Sequence, residues 1–100
     1  MRMYLDDIRD PKGEFDYIVR NSDSAIYIMQ VDGCPDFISF DHDLGGDDTA
    51  MKVVKWMVER DLDCQWKFIP DGFTFFVHSA NICGKDNIES YLNSYLRARD

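Results

Sequence analysis

Residues 37–46 read Phe37-Ile38-Ser39-Phe40-Asp41-His42-Asp43-Leu44-Gly45-Gly46. A short apolar run stops at Asp-His-Asp, and two glycines follow. That is the pattern of a buried strand that delivers polar groups to the rim of a sheet and turns away into a loop. Two other stretches share it. Phe73-Thr74-Phe75-Phe76-Val77 runs into His78-Ser79-Ala80-Asn81, and Met3-Tyr4-Leu5 runs into Asp6-Asp7. Both histidines of the chain lie just past such runs. A fold for this chain must end three strands in chemistry-bearing residues.

Helical patterns separate most of these runs. Phe15 to Val19 predicts a further strand, rich in β-favouring residues. The loop before it, with Asp10-Pro11 and Lys12-Gly13 as turn signals, is too short for a crossover helix. Asn21-Ser22-Asp23-Ser24 offers N-caps for a helix carrying Ala25, Ile26, Met29 and Gln30, which Gly33 and Pro35 stop. Ala50, Val53, Val54, Met57 and Val58 mark a second helix ending near 60–63, with Asp47 and Asp48 placed for its N-terminal dipole. Trp66 to Gly72 is a connector, and both tryptophans, Trp56 and Trp66, read as core. Gly84-Lys85-Asp86-Asn87 opens a last helix with Ile88, Tyr91, Leu92, Tyr95 and Leu96 on one face. Strands alternating with helices predict a parallel sheet covered on both faces, with the functional crevice at the carboxyl ends of the strands.

One hundred residues predict a single domain, 1–100. The net charge of −8 argues against a broad nucleic-acid-binding face and against an anionic membrane as partner. It leaves room for a small phosphate ester, because a divalent cation can sit between carboxylate and phosphate. Cys34, Cys64 and Cys83 are odd in number and widely spaced, so free thiols are expected rather than a disulfide framework or zinc site. No leader-like or membrane-length apolar run is read, and a reducing cytoplasm is the expected location.

Asp6, Asp7, Asp41 and Asp43 would crowd negative charge into one crevice, and a hard cation with oxygen ligands, Mg²⁺ above all, relieves such crowding. His42 and His78 on neighbouring strand ends can divide general-base and general-acid work across a phosphorus centre. Ser79 and Asn81 can hydrogen-bond a phosphate, and Arg9 and Lys85 can pair with one. The same residue types also suit solvated loop acids, helix caps, surface cations and hydrogen-bonded structural histidines. No phosphate-binding glycine loop of the nucleotide-cofactor kinds is present.

Three blocks together resemble a known family: Leu5-Asp6-Asp7-Ile8-Arg9-Asp10-Pro11, Ile38-Ser39-Phe40-Asp41-His42-Asp43-Leu44-Gly45 and Val77-His78-Ser79-Ala80-Asn81. They are similar to the signatures of the cyclic-phosphate-processing receiver-like domains, a divergent branch of the response-regulator receiver fold common in phages and bacteria. The resemblance implies a receiver/flavodoxin-like α/β three-layer sandwich. Its sheet is short, mainly parallel and about four-stranded, without the usual first helix and fifth strand. It implies Asp6, Asp7 and Asp41 as metal ligands, with Asp43 contributing its backbone carbonyl and Ser79 at the end of the fourth strand. The absent fifth strand removes the lysine that aspartyl-phosphate signalling needs, and His42 and His78 are additions to the receiver pattern.

The expectation is a metal-assisted phosphoesterase for a cyclic phosphate, on an RNA end or a cyclic nucleotide, using Mg²⁺. The alternative is a catalytically inactive receiver-like module that binds a phosphate ligand or a partner protein. If the chain is phage-encoded, that partner is a host protein and the location the host cytoplasm.

Overall fold

The computed structural model describes residues 1–99. It contains β1 (Arg2–Leu5), β2 (Tyr17–Val19), α1 (Ser22–Asp32), β3 (Phe37–Phe40), α2 (Ala50–Asp63), β4 (Thr74–Val77) and α3 (Ile82–Arg99). The strands form one parallel sheet in the order β2-β1-β3-β4. This is the small receiver-like α/β fold that the resemblance implies, with no helix between β1 and β2 and four strands among the described residues.

Side-chain alternation sorts the sheet into two faces. Met3, Leu5, Val19, Ile38, Phe40 and Val77 point into one buried cluster with Ala25 and Met29 of α1, Val53, Val54 and Met57 of α2, and Ile88 and Leu92 of α3. The helices therefore cover this face. Tyr4, Ser39 and Phe76 alternate to the other face. There the cover is a loop: Phe15 packs on Tyr4 and Phe37, with ring centroids 5.3 and 6.2 Å apart, and the Arg2 guanidinium lies over both phenylalanines. Away from that patch, Ile18 and Phe76 stay 46% and 57% exposed.

Helical cover on both faces was the expectation, and it needs this amendment. The reason is topological. Parallel crossovers are right-handed, so their direction across the sheet decides which face the helix covers. The connections β2 to β3 and β3 to β4 run the same way across the sheet and share a face. Only β1 to β2 runs the other way, and that connection, residues 6–16, carries no helix.

Element ends differ from expectation in instructive places. The last helix starts at Ile82 rather than at Gly84, because Asn81 caps it. The Asn81 side-chain oxygen accepts from the Gly84 amide at 2.9 Å, and its carbonyl accepts from the Lys85 amide at 2.9 Å. Asp48 serves α1 instead of α2: its carboxylate accepts from the Ser22 amide at 2.9 Å and from the Ser22 hydroxyl at 2.5 Å. Phe15 lies outside β2, drawn into the aromatic patch. Trp66 is 59% exposed rather than core, in a turn where it and Gln65 take positive φ. Asn21 caps α1 as expected, accepting from Ser24 at 2.8 Å. No helix among the described residues is long and apolar enough to cross a membrane.

Candidate metal and phosphate site

The sheet register builds the rim. Leu5 pairs with Val19 and with Phe40, and Phe40 pairs with Val77, so the strands end level. The ladder continues one residue further: the amides of Asp6, Asp41 and His78 donate to the carbonyls of Val19, Leu5 and Phe40 at 3.1, 2.8 and 2.9 Å. Asp6, Asp41 and His78 thus stand in one row. Alternation places them on the face that carries Tyr4, Ser39 and Phe76. Of the residues that follow, Asp7 and Ser79 line the same rim, whereas His42 does not.

Above the row lies a cleft of about 540 Å³ lined by Asp6, Asp7, Arg9, Asp41, Asp43, Ser79 and Asn81, together with Gly45 and Gly46. One carboxylate oxygen from each of Asp6, Asp7 and Asp41 lies within 4.8 Å of the others. Gly45 has φ +92°, and a Cβ on it would meet the Asp7 carboxylate at 3.4 Å. Glycine there lets the loop close over the acids.

Asp6 is fully buried and has four donors. Its Oδ1 accepts from the amides of Ile8 and Arg9 at 2.9 and 2.8 Å. Its Oδ2 accepts from Arg9 Nε at 2.9 Å and His78 Nε2 at 3.0 Å. Burial pushes the Asp6 carboxyl up, but the two amides, His78 and the Arg9 charge outweigh it and hold its pKa below the usual value. Arg9 also reaches Asp41, Nη2 to Oδ2 at 3.5 Å. A guanidinium bridging two of the three acids is an internal stand-in for a cation. Together with the all-oxygen donor set of Asp6, Asp7 and Asp41, it is the chemistry that a hard divalent ion such as Mg²⁺ would meet here.

The histidines lie behind these groups and do not line the cleft. His78 stacks on Tyr4, centroids 4.6 Å apart and planes 4° from parallel. Its Nδ1 lies 2.8 Å from the Ser39 hydroxyl. Since the Asp6 carboxylate only accepts, it assigns the shared proton to His78 Nε2, and in the neutral ring Nδ1 then accepts from Ser39. His42 lies 3.0 Å from Asp43 Oδ1 through Nδ1, and its ring covers the backbone of Gly84. Asp43 also accepts from Asn81 Nδ2 at 3.1 Å, and these bonds, Asn81 before His42, lower its pKa.

Ser79 accepts from the Asn81 amide at 3.1 Å, which leaves its hydroxyl proton to donate elsewhere. Asn81 lines the cleft but spends its side chain on Gly84 and Asp43. Lys85 lies in the first turn of α3 and does not line the cleft. Three contributors were missed in the sequence: Tyr4, Ser39 and Arg20. Arg20 braces the loop that holds the site, donating to the carbonyls of Asp6 and Arg9 at 3.2 and 2.7 Å and pairing with Asp10. A polar Ser39 inside an otherwise apolar strand was the readable sign; nothing in the spacing marks Arg20.

An acid pair after β1, an acid after β3 and a serine after β4, all around one rim, form the receiver arrangement. No curated protein and no solved structure matches the chain. A family model described as cyclic-phosphate processing Receiver domain matches residues 1–94, and with this geometry beneath the match the chain belongs to that family.

Proposed function

We propose that this receiver domain hydrolyses a cyclic phosphate ester, a 2′,3′-cyclic phosphate at an RNA end or a cyclic nucleotide, with a divalent cation held by Asp6, Asp7 and Asp41. The supporting observation is the convergence of three carboxylate oxygens within 4.8 Å at the floor of an open cleft. A bound Mg²⁺ would offset phosphate charge and lower the pKa of an attacking water. Asp43 adds its backbone carbonyl. Ser79 donates to a phosphoryl oxygen, and Arg9, on the cleft wall, pairs with another. Attack by water breaks one ring P–O bond, and the leaving alkoxide takes up a proton.

The two histidines expected for acid–base work each hold an acid in this proposal. His78 has both ring nitrogens engaged and acts as a positioning residue for Asp6. His42 has Nε2 without a partner among the described residues, but its ring does not line the cleft, so its part is to hold Asp43 through Nδ1.

Phosphorus NMR of 2′,3′-cyclic AMP and of an RNA ending in a cyclic phosphate tests the reading, with Mg²⁺ added or chelated. The expected result is Mg²⁺-dependent conversion to a monoester, lost in Asp41→Asn. His42→Gln lowers the rate, whereas His78→Gln weakens Mg²⁺ binding itself. One observation favours the non-catalytic alternative: Asp6 already has four donors, as in a purely structural carboxylate. Stoichiometric binding of the cyclic phosphate with no product under any metal condition would sink the hydrolase reading and leave the module that binds a phosphate ligand or a partner protein.

A further inference from the structure

An ionised carboxylate offers about four acceptor positions. On Asp6 all four are occupied: two by backbone amides, one by His78 Nε2 and one by Arg9 Nε. A cation can reach Asp6 only after one donor leaves. Three of the donors are held in place. The Ile8 and Arg9 amides belong to the loop that Arg20 braces through the Asp6 and Arg9 carbonyls. His78 is fixed by its stack on Tyr4 and its bond to Ser39. The Arg9 side chain is different: it is 52% exposed, and its second contact, to Asp41, is long at 3.5 Å.

We propose that Arg9 is the exchangeable cation of this site. Without metal its guanidinium bridges Asp6 and Asp41 and keeps the acids from repelling one another. When a divalent cation binds, the side chain withdraws, the Arg9 amide stays on Asp6 Oδ1, and the freed guanidinium turns to the cleft, where a phosphate oxygen is its natural partner. Metal and arginine then compete for the same oxygens, so removing one strengthens the other by the same factor. The consequence is an order of binding: metal first, phosphate ester second. This rests on the metal reading above.

The test follows the arginine and the ion separately. In wild-type protein, the Nε–H signal of Arg9, assigned by its absence in Arg9→Lys, is recorded during a Mg²⁺ titration. Calorimetry measures Mg²⁺ affinity in wild type and in Arg9→Gln. The expected result is an Nε–H protected from exchange without metal that becomes fast-exchanging as Mg²⁺ saturates. Arg9→Gln is expected to bind Mg²⁺ roughly 1.5- to fivefold more tightly, the range set by loss of a half-exposed ion pair. Mg²⁺ binding to Arg9→Gln alone would support the exchange in its strongest form. Mg²⁺ binding with Nε–H unchanged, or equal or weaker affinity in Arg9→Gln, overturns the exchange and leaves the metal site standing. If neither protein binds Mg²⁺, the metal reading falls and the exchange with it. Should Arg9→Gln not fold, the wild-type spectra decide alone.

Discussion

At Gly84 the usual rule for a helix reverses. Gly to Ala inside a helix ordinarily gains about 1 kcal/mol, because glycine loses more backbone freedom on folding. Here a Cβ would enter the His42 ring, which rests on that backbone. The ring cannot step aside freely, since it is largely buried and its Nδ1 is engaged with Asp43. Gly84→Ala is therefore expected to destabilise by about 1–3 kcal/mol, the cost of overpacking. A urea midpoint below wild type checks it, and a rise would show that His42 does not seat α3. Strict alternation along β3 would turn His42 away from Asp41, but whether strand geometry continues past Phe40 is open in the sequence. What His42 came to rest on was not legible, because the contact joins residues 42 and 84 and neither local pattern mentions the other. Asp6, Asp7 and Asp41 were legible for the opposite reason: each ends a strand whose apolar run is visible in one dimension. His78 was legible as a rim residue but not in its bonds, which depend on the sheet order that sets β4 beside β3.

Helix α2 carries an anomaly on its apolar stripe. Val54, Met57 and Val58 are followed on the same face by Asp61, which is fully buried. Four groups satisfy it: the amides of Phe68 and Ile69 at 3.0 and 2.8 Å, the Tyr95 hydroxyl at 2.6 Å, and Arg99 Nη1 at 3.2 Å. Arg99 also donates to the Ile69 carbonyl at 2.7 Å. One carboxylate thus ties together α2, the connector before β4 and the last turns of α3. Burial and the bond to Asp61 push the Tyr95 hydroxyl up to about 12, so it remains a donor across the working range. Asp61→Ala is expected to cost about 3–5 kcal/mol, since it leaves the buried Arg99 charge with only the exposed Asp71 carboxylate, 3.7 Å away. Tyr95→Phe removes one donor only, and about 1–2 kcal/mol is expected. Chemical denaturation of both variants checks the ordering; equal losses would mean that Asp61 does not anchor α3. The helical period alone could have flagged Asp61, since a charge in phase with a buried stripe requires partners. The apolar pattern ends α2 near 60–63, and nothing local to it names those partners.

Over the whole molecule, two opposing electrostatic effects set the pH dependence of stability. The chain carries a net charge of −8, and the self-repulsion eases as surface acids protonate. Against this stand Asp6 and Asp61. Burial raises both pKa values, but their hydrogen-bond donors and arginines outweigh it, and both end below the ordinary 3.8. A carboxyl whose folded pKa is depressed contributes its full stability above its unfolded pKa. That contribution is lost as pH falls through 3.8 toward the folded value. The repulsive effect changes gradually, being spread over many exposed groups that salt screens. The loss from Asp6 and Asp61 is concentrated in two buried sites that hold separate parts of the fold: the rim of the sheet, and the junction of α2 with α3. Melting temperature is therefore expected to hold or rise slightly on acidification from pH 7 to about 5, then fall steeply below about 4. Asp61→Asn cannot ionise and keeps an oxygen for the two amides, so it should start less stable at pH 7 and lose less between pH 5 and 3. Thermal melts across that range in moderate salt make the comparison. If the variant's curve runs parallel to wild type, Asp61 is not a source of the acid sensitivity, and the fall must be assigned to Asp6 and the remaining acids.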